Sequence, residues 1–141
     1  MATVRTAHAH WEGSLTEGAG QVELVSSGIG TYPVTWAARS QDANGKTSPE
    51  ELIAAAHATC FSMAFSNGLS QAGTPPTSLD VTAEVTFVPG TGITGSHLKL
   101  NAVIPGISEE DFQAAAADAK ANCPVSAALA GTTITLDATL S

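Results

Sequence analysis

Positive charge is scarce in this sequence. The side-chain cations are Arg5, Arg39, Lys46, Lys99 and Lys120, scattered along the chain against 13 acids, and the formal net charge is −8. A chain with no basic patch is a poor partner for nucleic acid or for an anionic membrane surface. Cysteine is nearly absent as well. Two cysteines in 141 residues are too few for the disulfide framework of a small secreted domain, and they point to inert core thiols or to redox chemistry in a reducing compartment. No stretch reads as the roughly 18 apolar residues that span a bilayer. The opening MATVRTAHAHWEG lacks the unbroken apolar segment of a secretory signal. There is no repeat, low-complexity tract or charge block. The expectation is a soluble, cytoplasmic protein.

What is present is enough apolar residue, 43% of 141, for one domain over residues 1–141 with its own core. Alternation predicts strands over residues 4–11 and 21–26, with turn residues between them, and a third strand over about 31–39. Residues 79–88 alternate through Leu79, Val81, Ala83, Val85 and Phe87. Residues 97–104 alternate through Leu98, Leu100, Ala102 and Ile104, which suggests an antiparallel neighbour across a loop at 89–96. A last strand over 132–140 buries Ile134, Leu136, Ala138 and Leu140. The fold class is α+β.

Between these strands the period changes to helix. Ser48 suits an N-cap, Pro49 suits N1 where its missing N–H costs nothing, and Glu51 falls at N3 of a capping box, leaving Glu50 unused. The segment that follows is rich in helix formers and stops near Asn67-Gly68 or Gly73. Ser108 caps a second helix with acids in its first turn, and Asn122 ends it. Cys123 then precedes Pro124, which suits N1 of a short turn over 124–129. The first helix is apolar nearly all round and carries many alanines, so it must be buried and closely approached. One subunit can hardly enclose it, and a homodimer that sandwiches such helices follows as the expectation.

The chemistry rests on few residues. Cys60 lies about 12 positions past the N-cap, beyond reach of the helix dipole, and a buried thiol needs a nearby cation to become a thiolate. Arg39 is the better placed of the two arginines, at the end of an apolar strand through Val34, Trp36, Ala37 and Ala38. A guanidinium in an apolar site needs a carboxylate partner, which Glu50 can supply. Glu50 and Cys60 are about 15 Å apart along a continuous helix. Either the helix breaks, or Arg39 and Glu50 of one subunit complete a site around Cys60 of another; the second is preferred. Cys123 as an N-cap sits near unpaired N–H groups that favour a thiolate.

His57 is one turn before Cys60, so a Cys-His pair must be weighed, although no Asp or Asn is placed to orient it. The bland readings stand beside these. Cys60 and Cys123 by spacing alone are core residues, Arg39 is a strand-end surface residue, Glu50 is a first-turn acid and His57 is a satisfied core histidine. Phe61, Met63, Phe65 and Phe112 have core spacing. No ligand-pair spacing suggests a metal, and no organic cofactor is expected.

Four segments, AHAHWEG (7–13), TSPEELIAAAHATCFSMAFS (47–66), PTSLDVTAEV (76–85) and NCPVSAAL (122–129), strongly resemble the osmotically inducible protein C family, OsmC, sister to the organic hydroperoxide resistance (Ohr) proteins. The resemblance runs essentially end to end. It implies an intertwined homodimer, two antiparallel β-sheets wrapped around central helices, with a peroxidase site at the subunit interface. It further implies that Cys60 is the peroxidatic thiol, Cys123 the resolving thiol that closes a Cys60–Cys123 disulfide, Arg39 the activating cation and Glu50 its carboxylate. The substrates implied are organic hydroperoxides and, more weakly, hydrogen peroxide, with a dithiol reductant such as a dihydrolipoyl protein and a role in oxidative or osmotic stress. The alternative from another class is a binding protein for a small hydrophobic ligand, its thiols structural.

Overall fold

Side-chain alternation builds two separate three-stranded sheets, as seen in a computed structural model that describes residues 1–141. The chain forms two compact units, Met1–Leu52 and Ile53–Ser141. In the first, strands β1 (His8–Glu12), β2 (Ala19–Glu23) and β3 (Thr31–Val34) form an antiparallel sheet in the order β1-β2-β3. Ala9 pairs with Val22 and Trp11 with Gly20. A Cβ at Gly20 would lie 2.7 Å from the Trp11 ring, so only glycine lets the indole lie across the sheet.

Three sequence expectations change in this unit. The first strand starts at His8 rather than residue 4, the second runs over Ala19–Glu23 rather than 21–26, and the third ends at Val34. Residues beyond Thr35 turn into a short helix, α1 (Trp36–Ser40), capped by Thr35, whose Oγ1 accepts the Ala38 N–H at 3.1 Å. The apolar run Val34, Trp36, Ala37, Ala38 lacks true alternation, and Ala-Ala-Arg behind a threonine cap favours helix. Arg39 therefore sits in a helix and not at a strand end.

The second unit is built around the helix α2 (Pro49–Gln71), whose first turn belongs to the first unit. Ser48 caps it as expected, its Oγ accepting the Glu51 N–H at 3.1 Å, but the Glu51 carboxylate takes the Thr47 hydroxyl at 2.6 Å instead of closing a capping box. The helix ends before Gly73, whose φ of 88° needs glycine. Contrary to the sequence expectation, α2 is long and apolar enough by length and composition to cross a membrane. Its apolarity comes largely from alanine. One side, through His57, Phe61, Phe65 and Leu69, is buried in the protein, while Ala55, Ala56 and Met63 on the other side are exposed. Burial all round is thus not achieved within one chain.

Strands β4 (Ser78–Val88) and β5 (Gly92–Val103) form an antiparallel hairpin. The expected loop at 89–96 shrinks to a turn in which Thr91 N–H donates to the Val88 carbonyl at 2.9 Å, with Pro89 and Gly90 (φ 84°) in the central positions of a type II turn. The glycines of β5 read as loop punctuation, yet Gly95 pairs with Thr86 and Thr133, and a Cβ there would approach the Thr133 carbonyl to 2.9 Å. Helices α3 (Glu109–Asn122) and α4 (Pro124–Ala128) carry the chain over to β6 (Thr133–Leu140). Such a crossover brings β6 back parallel to β5. The second sheet is therefore mixed, which corrects the expectation of two antiparallel sheets; the α+β class with two sheets stands.

The core of this unit joins Phe61, Phe65 and Leu69 of α2 to Leu98, Leu100 and Ala102 of β5 and Phe112, Ala116 and Ala119 of α3. Phe65 stands between Phe61 and Phe112, with ring centroids 5.7 and 6.0 Å apart, in the tilted geometry that aromatic pairs favour. Phe112 is fully buried. Phe112→Ala is expected to lower stability by about 3–5 kcal/mol, read from the midpoint of equilibrium urea unfolding; a loss under about 1 kcal/mol would mean that this core can collapse around the gap.

Candidate active site

Two constellations carry chemistry, one in each unit. In the first, α1 presents Arg39 and the start of α2 presents Glu50. Arg39 Nε donates to both Glu50 carboxylate oxygens at 3.0 and 3.2 Å, and Nη2 donates to Oε2 at 2.9 Å. Glu50 is 7% exposed, while the Arg39 side chain retains about a third of its surface. A multiply bonded guanidinium of this kind is held in one orientation. Beside it lies an apolar cavity of about 460 Å³ lined by Ala9, Trp11, Leu15, Val22, Val34 and Trp36 together with Arg39. The pairing anticipated from Glu50 being spare in the helix cap is present.

In the second unit, α2 and α4 bring the two cysteines together across 63 positions of sequence. Both thiols are free, and they lie close enough to shift each other's pKa. Cys60 is half-buried and opens into a groove lined by Ala55, Ala56, Thr59, Met63 and Pro124, whereas Cys123 is fully buried. Cys123 caps α4. Its Sγ accepts the Ser126 N–H at 3.3 Å and lies 3.3 Å from the Ser126 hydroxyl.

These surroundings split the two thiols. Burial pushes Cys60 up from the usual thiol range, and the adjacent Cys123 adds to the rise against a lowering contact from the Val125 N–H. Burial acts on Cys123 in the same sense, but the Ser126 hydroxyl and N–H, with Cys60 and Val125, outweigh it, and Cys123 is lowered. Within this unit the negative charge thus prefers Cys123. The helix α2 is unbroken from Pro49 to Gln71, which removes the alternative of a broken helix between Glu50 and Cys60.

His57 does not pair with Cys60. Its ring is completely buried, with Nδ1 2.6 Å from Ser96 Oγ and Nε2 2.8 Å from Ser126 Oγ. Sequence reasoning missed both serines. Ser96 falls on the inward phase of β5 with Leu98 and Leu100, and a polar residue on an apolar face signals a buried partner. Ser126 is the N3 residue behind the Cys123 cap, where its N–H is committed to the cap. No group of three or more potential metal ligands occurs.

Two free thiols of unequal exposure, with a serine hydroxyl beside the buried one, make this the candidate redox site of the chain. The chain belongs to the OsmC-like protein family, whose family model matches residues 41–137. It is 43% identical over 140 residues to the Peroxiredoxin OsmC of Escherichia coli (strain K12), covering 97% of this chain and 96% of that protein. Among solved structures it resembles an organic hydroperoxide resistance protein from Elizabethkingia anophelis, at 28% identity and a TM-score of 0.65 over 100% of this chain and 99% of that one. It also resembles the organic hydroperoxide resistance protein OhrB of Bacillus subtilis, at a TM-score of 0.69 and 21% identity over 95% and 98% of the two chains, a likeness of fold.

Burial holds the His57 pKa below its ordinary value of 6.5, so at neutral pH the ring is uncharged. As pH falls below about 6.5 the unfolded chain takes up this proton before the folded one does. Stability is therefore complete above that pH and is lost as pH falls toward the lower folded pKa. Denaturant midpoints at successive pH values should fall through this window in the parent, and His57→Gln should flatten that part of the slope; equal slopes would remove His57 as its source.

Proposed function

We propose that this chain is a thiol peroxidase for organic hydroperoxides, and more weakly for hydrogen peroxide, with Cys60 as the attacking thiol and Cys123 as the resolving one. The activity is supported by the kinship with a peroxiredoxin over nearly the whole chain. The observation that carries the assignment of roles is a pair of free thiols close enough to shift each other's pKa, of which only Cys60 faces an open groove. A peroxide approaching from solvent meets Cys60 first.

The thiolate of Cys60 attacks the terminal oxygen of the hydroperoxide; the O–O bond breaks, the alkoxide leaves as the alcohol, and Cys60 becomes a sulfenic acid. Cys123 attacks that sulfur, water departs and a Cys60–Cys123 disulfide closes. A dithiol, such as a dihydrolipoyl protein, reopens it by exchange. No metal or organic cofactor takes part in this scheme. It suits the reducing cytoplasm, and consumption of hydroperoxides suits oxidative or osmotic stress.

Cys60 needs a cation, since its own unit pushes its pKa up. In this proposal the Arg39–Glu50 pair of one subunit completes the site around Cys60 of its partner, in a homodimer whose intertwined chains make residues 1–141 one functional domain. Exposed apolar residues support a partner: Leu15 is 56% exposed, Ile29 71% and Met63 68%. The apolar cavity beside Arg39 suits the alkyl part of a hydroperoxide. The same cavity is the one observation that favours a carrier of a small hydrophobic ligand, in which the thiols would never react.

Cys60→Ser is expected to abolish peroxide consumption, and Cys123→Ser to give one turnover and then stall, measured by rapid mixing of reduced protein with an alkyl hydroperoxide. Repeated turnover by the Cys60→Ser protein would sink the assignment. Mixing Arg39→Ala and Cys60→Ser subunits under exchange should recover activity that neither shows alone, because one intact site forms in each mixed dimer. No recovery in mixtures shown by mass to contain the mixed dimer would place Arg39 and Cys60 of one chain together instead.

A further inference from the structure

Ser96, His57, Ser126 and Cys123 form one continuous buried string of polar groups, with exposures of 2, 0, 4 and 0%. The links are Ser96 Oγ to His57 Nδ1 at 2.6 Å, His57 Nε2 to Ser126 Oγ at 2.8 Å, and Ser126 Oγ to Cys123 Sγ at 3.3 Å. Nothing in a packed core requires such a string, and apolar groups of similar shape could fill the space without desolvating two hydroxyls and an imidazole. It ends on one of the two reacting sulfurs.

We propose that His57, acting through Ser126, is the base that takes the proton of Cys123 during disulfide closure. The inference rests on the thiol roles proposed above. Ser126 touches the reacting sulfur and is the catalytic hydroxyl; His57 and Ser96 are positioning residues behind it.

Counting protons leaves two orders of donation along the string, and the relay uses one of them. A neutral imidazole has one N–H and one bare nitrogen. With Nδ1–H donating to Ser96 Oγ, bare Nε2 accepts the Ser126 hydroxyl, and Ser126 Oγ in turn accepts the Cys123 S–H. Cys123 then gives its proton to Ser126 Oγ as Ser126 passes its own to His57 Nε2. One S–H bond breaks, one N–H bond forms and the hydroxyl is regenerated. The Cys123 thiolate forms the S–S bond as the S–O bond of the Cys60 sulfenic acid breaks. The departing hydroxide takes the proton held by His57 and leaves as water, so the imidazole is neutral again.

The surroundings agree with this direction. Burial alone shifts His57, with no carboxylate or ammonium contributing, and it keeps the ring neutral and able to accept. Besides His57, the titratable groups at the string are the two thiols themselves, and the Ser126 hydroxyl is the largest of the contacts that lower Cys123. The reach of Ser126 to both His57 and Cys123 is set by its place at N3 of the Cys123-capped helix. Sequence adjacency of His57 to Cys60 is thereby misleading, since the imidazole serves the other thiol.

The test follows the two half-reactions separately. Reduced protein is mixed with one equivalent of cumene hydroperoxide between about pH 6 and 9, and quenched samples are weighed for the Cys60 sulfenic acid, trapped with dimedone, and for the disulfide. Ser126→Ala is expected to accumulate sulfenic acid and to close about tenfold or more slowly near neutral pH, regaining speed as pH rises toward the free-thiol range of about 8.5. His57→Gln should move closure in the same direction, and Ser126→Thr, which keeps the hydroxyl, should restore it. Should His57→Gln not fold, the Ser126→Ala and Ser126→Thr pair decides alone. Closure by Ser126→Ala at the parent rate with the parent pH profile overturns the inference, as does Ser126→Thr closing as slowly as Ser126→Ala. A parent protein that forms no sulfenic acid would overturn the thiol roles and this inference together, whereas normal sulfenic acid with unchanged closure overturns this inference alone.

Discussion

A buried imidazole is tolerated only when both ring nitrogens find partners, and in this protein that requirement joins three elements that are distant in sequence. His57 on α2 reaches β5 through Ser96 and α4 through Ser126, 39 and 69 positions away. Losing either serine would leave an unsatisfied polar atom in the core, at a cost of about 1–3 kcal/mol. The bonds therefore fix how α4 lies against α2. Since Cys123 caps α4 and Cys60 lies three residues past His57, that fixing keeps the two thiols close enough to shift each other's pKa.

The same economy governs the thiols. The Val125 N–H lowers the pKa of both Cys60 and Cys123, yet only Cys123 has a hydroxyl and a capping N–H bonded to it. Their unit lowers one thiol and raises the other. In the first unit Arg39 is oriented on Glu50 by three hydrogen bonds.

Alanine on α2 links packing to this arrangement. Phe61, Phe65 and Leu69 pack one face against β5 and α3, while the face with Ala55, Ala56 and Met63 stays open around Cys60. Polar residues within the helix are satisfied by it: Thr59 and Ser62 hydroxyls donate to the carbonyls four residues back, at 2.8 and 2.7 Å. The helix thus reads as apolar by composition, and membrane-like by length, without needing a lipid partner for its buried face.

Local signals were legible wherever one short stretch of chain supplies both members of a bond. The caps at Ser48, Ser108 and Cys123, the Pro124 start of α4 and the alternation of β4, β5 and β6 were all readable from sequence, because capping and pleating involve residues within four positions of each other. Motif resemblance carried the family. Where local signals competed, as at Thr35 to Ser40, helix won over strand for Arg39, and at Gly92 to Ser96 cross-strand pairing overrode glycine punctuation. Only the tertiary structure decided that β6 runs parallel to β5, that the thiols meet, and that His57 turns from Cys60 toward Ser126. Those outcomes depend on contacts between distant segments, whose geometry is chosen by the collective need to bury apolar faces and leave no buried polar atom unpaired, a condition that no single stretch of the sequence expresses.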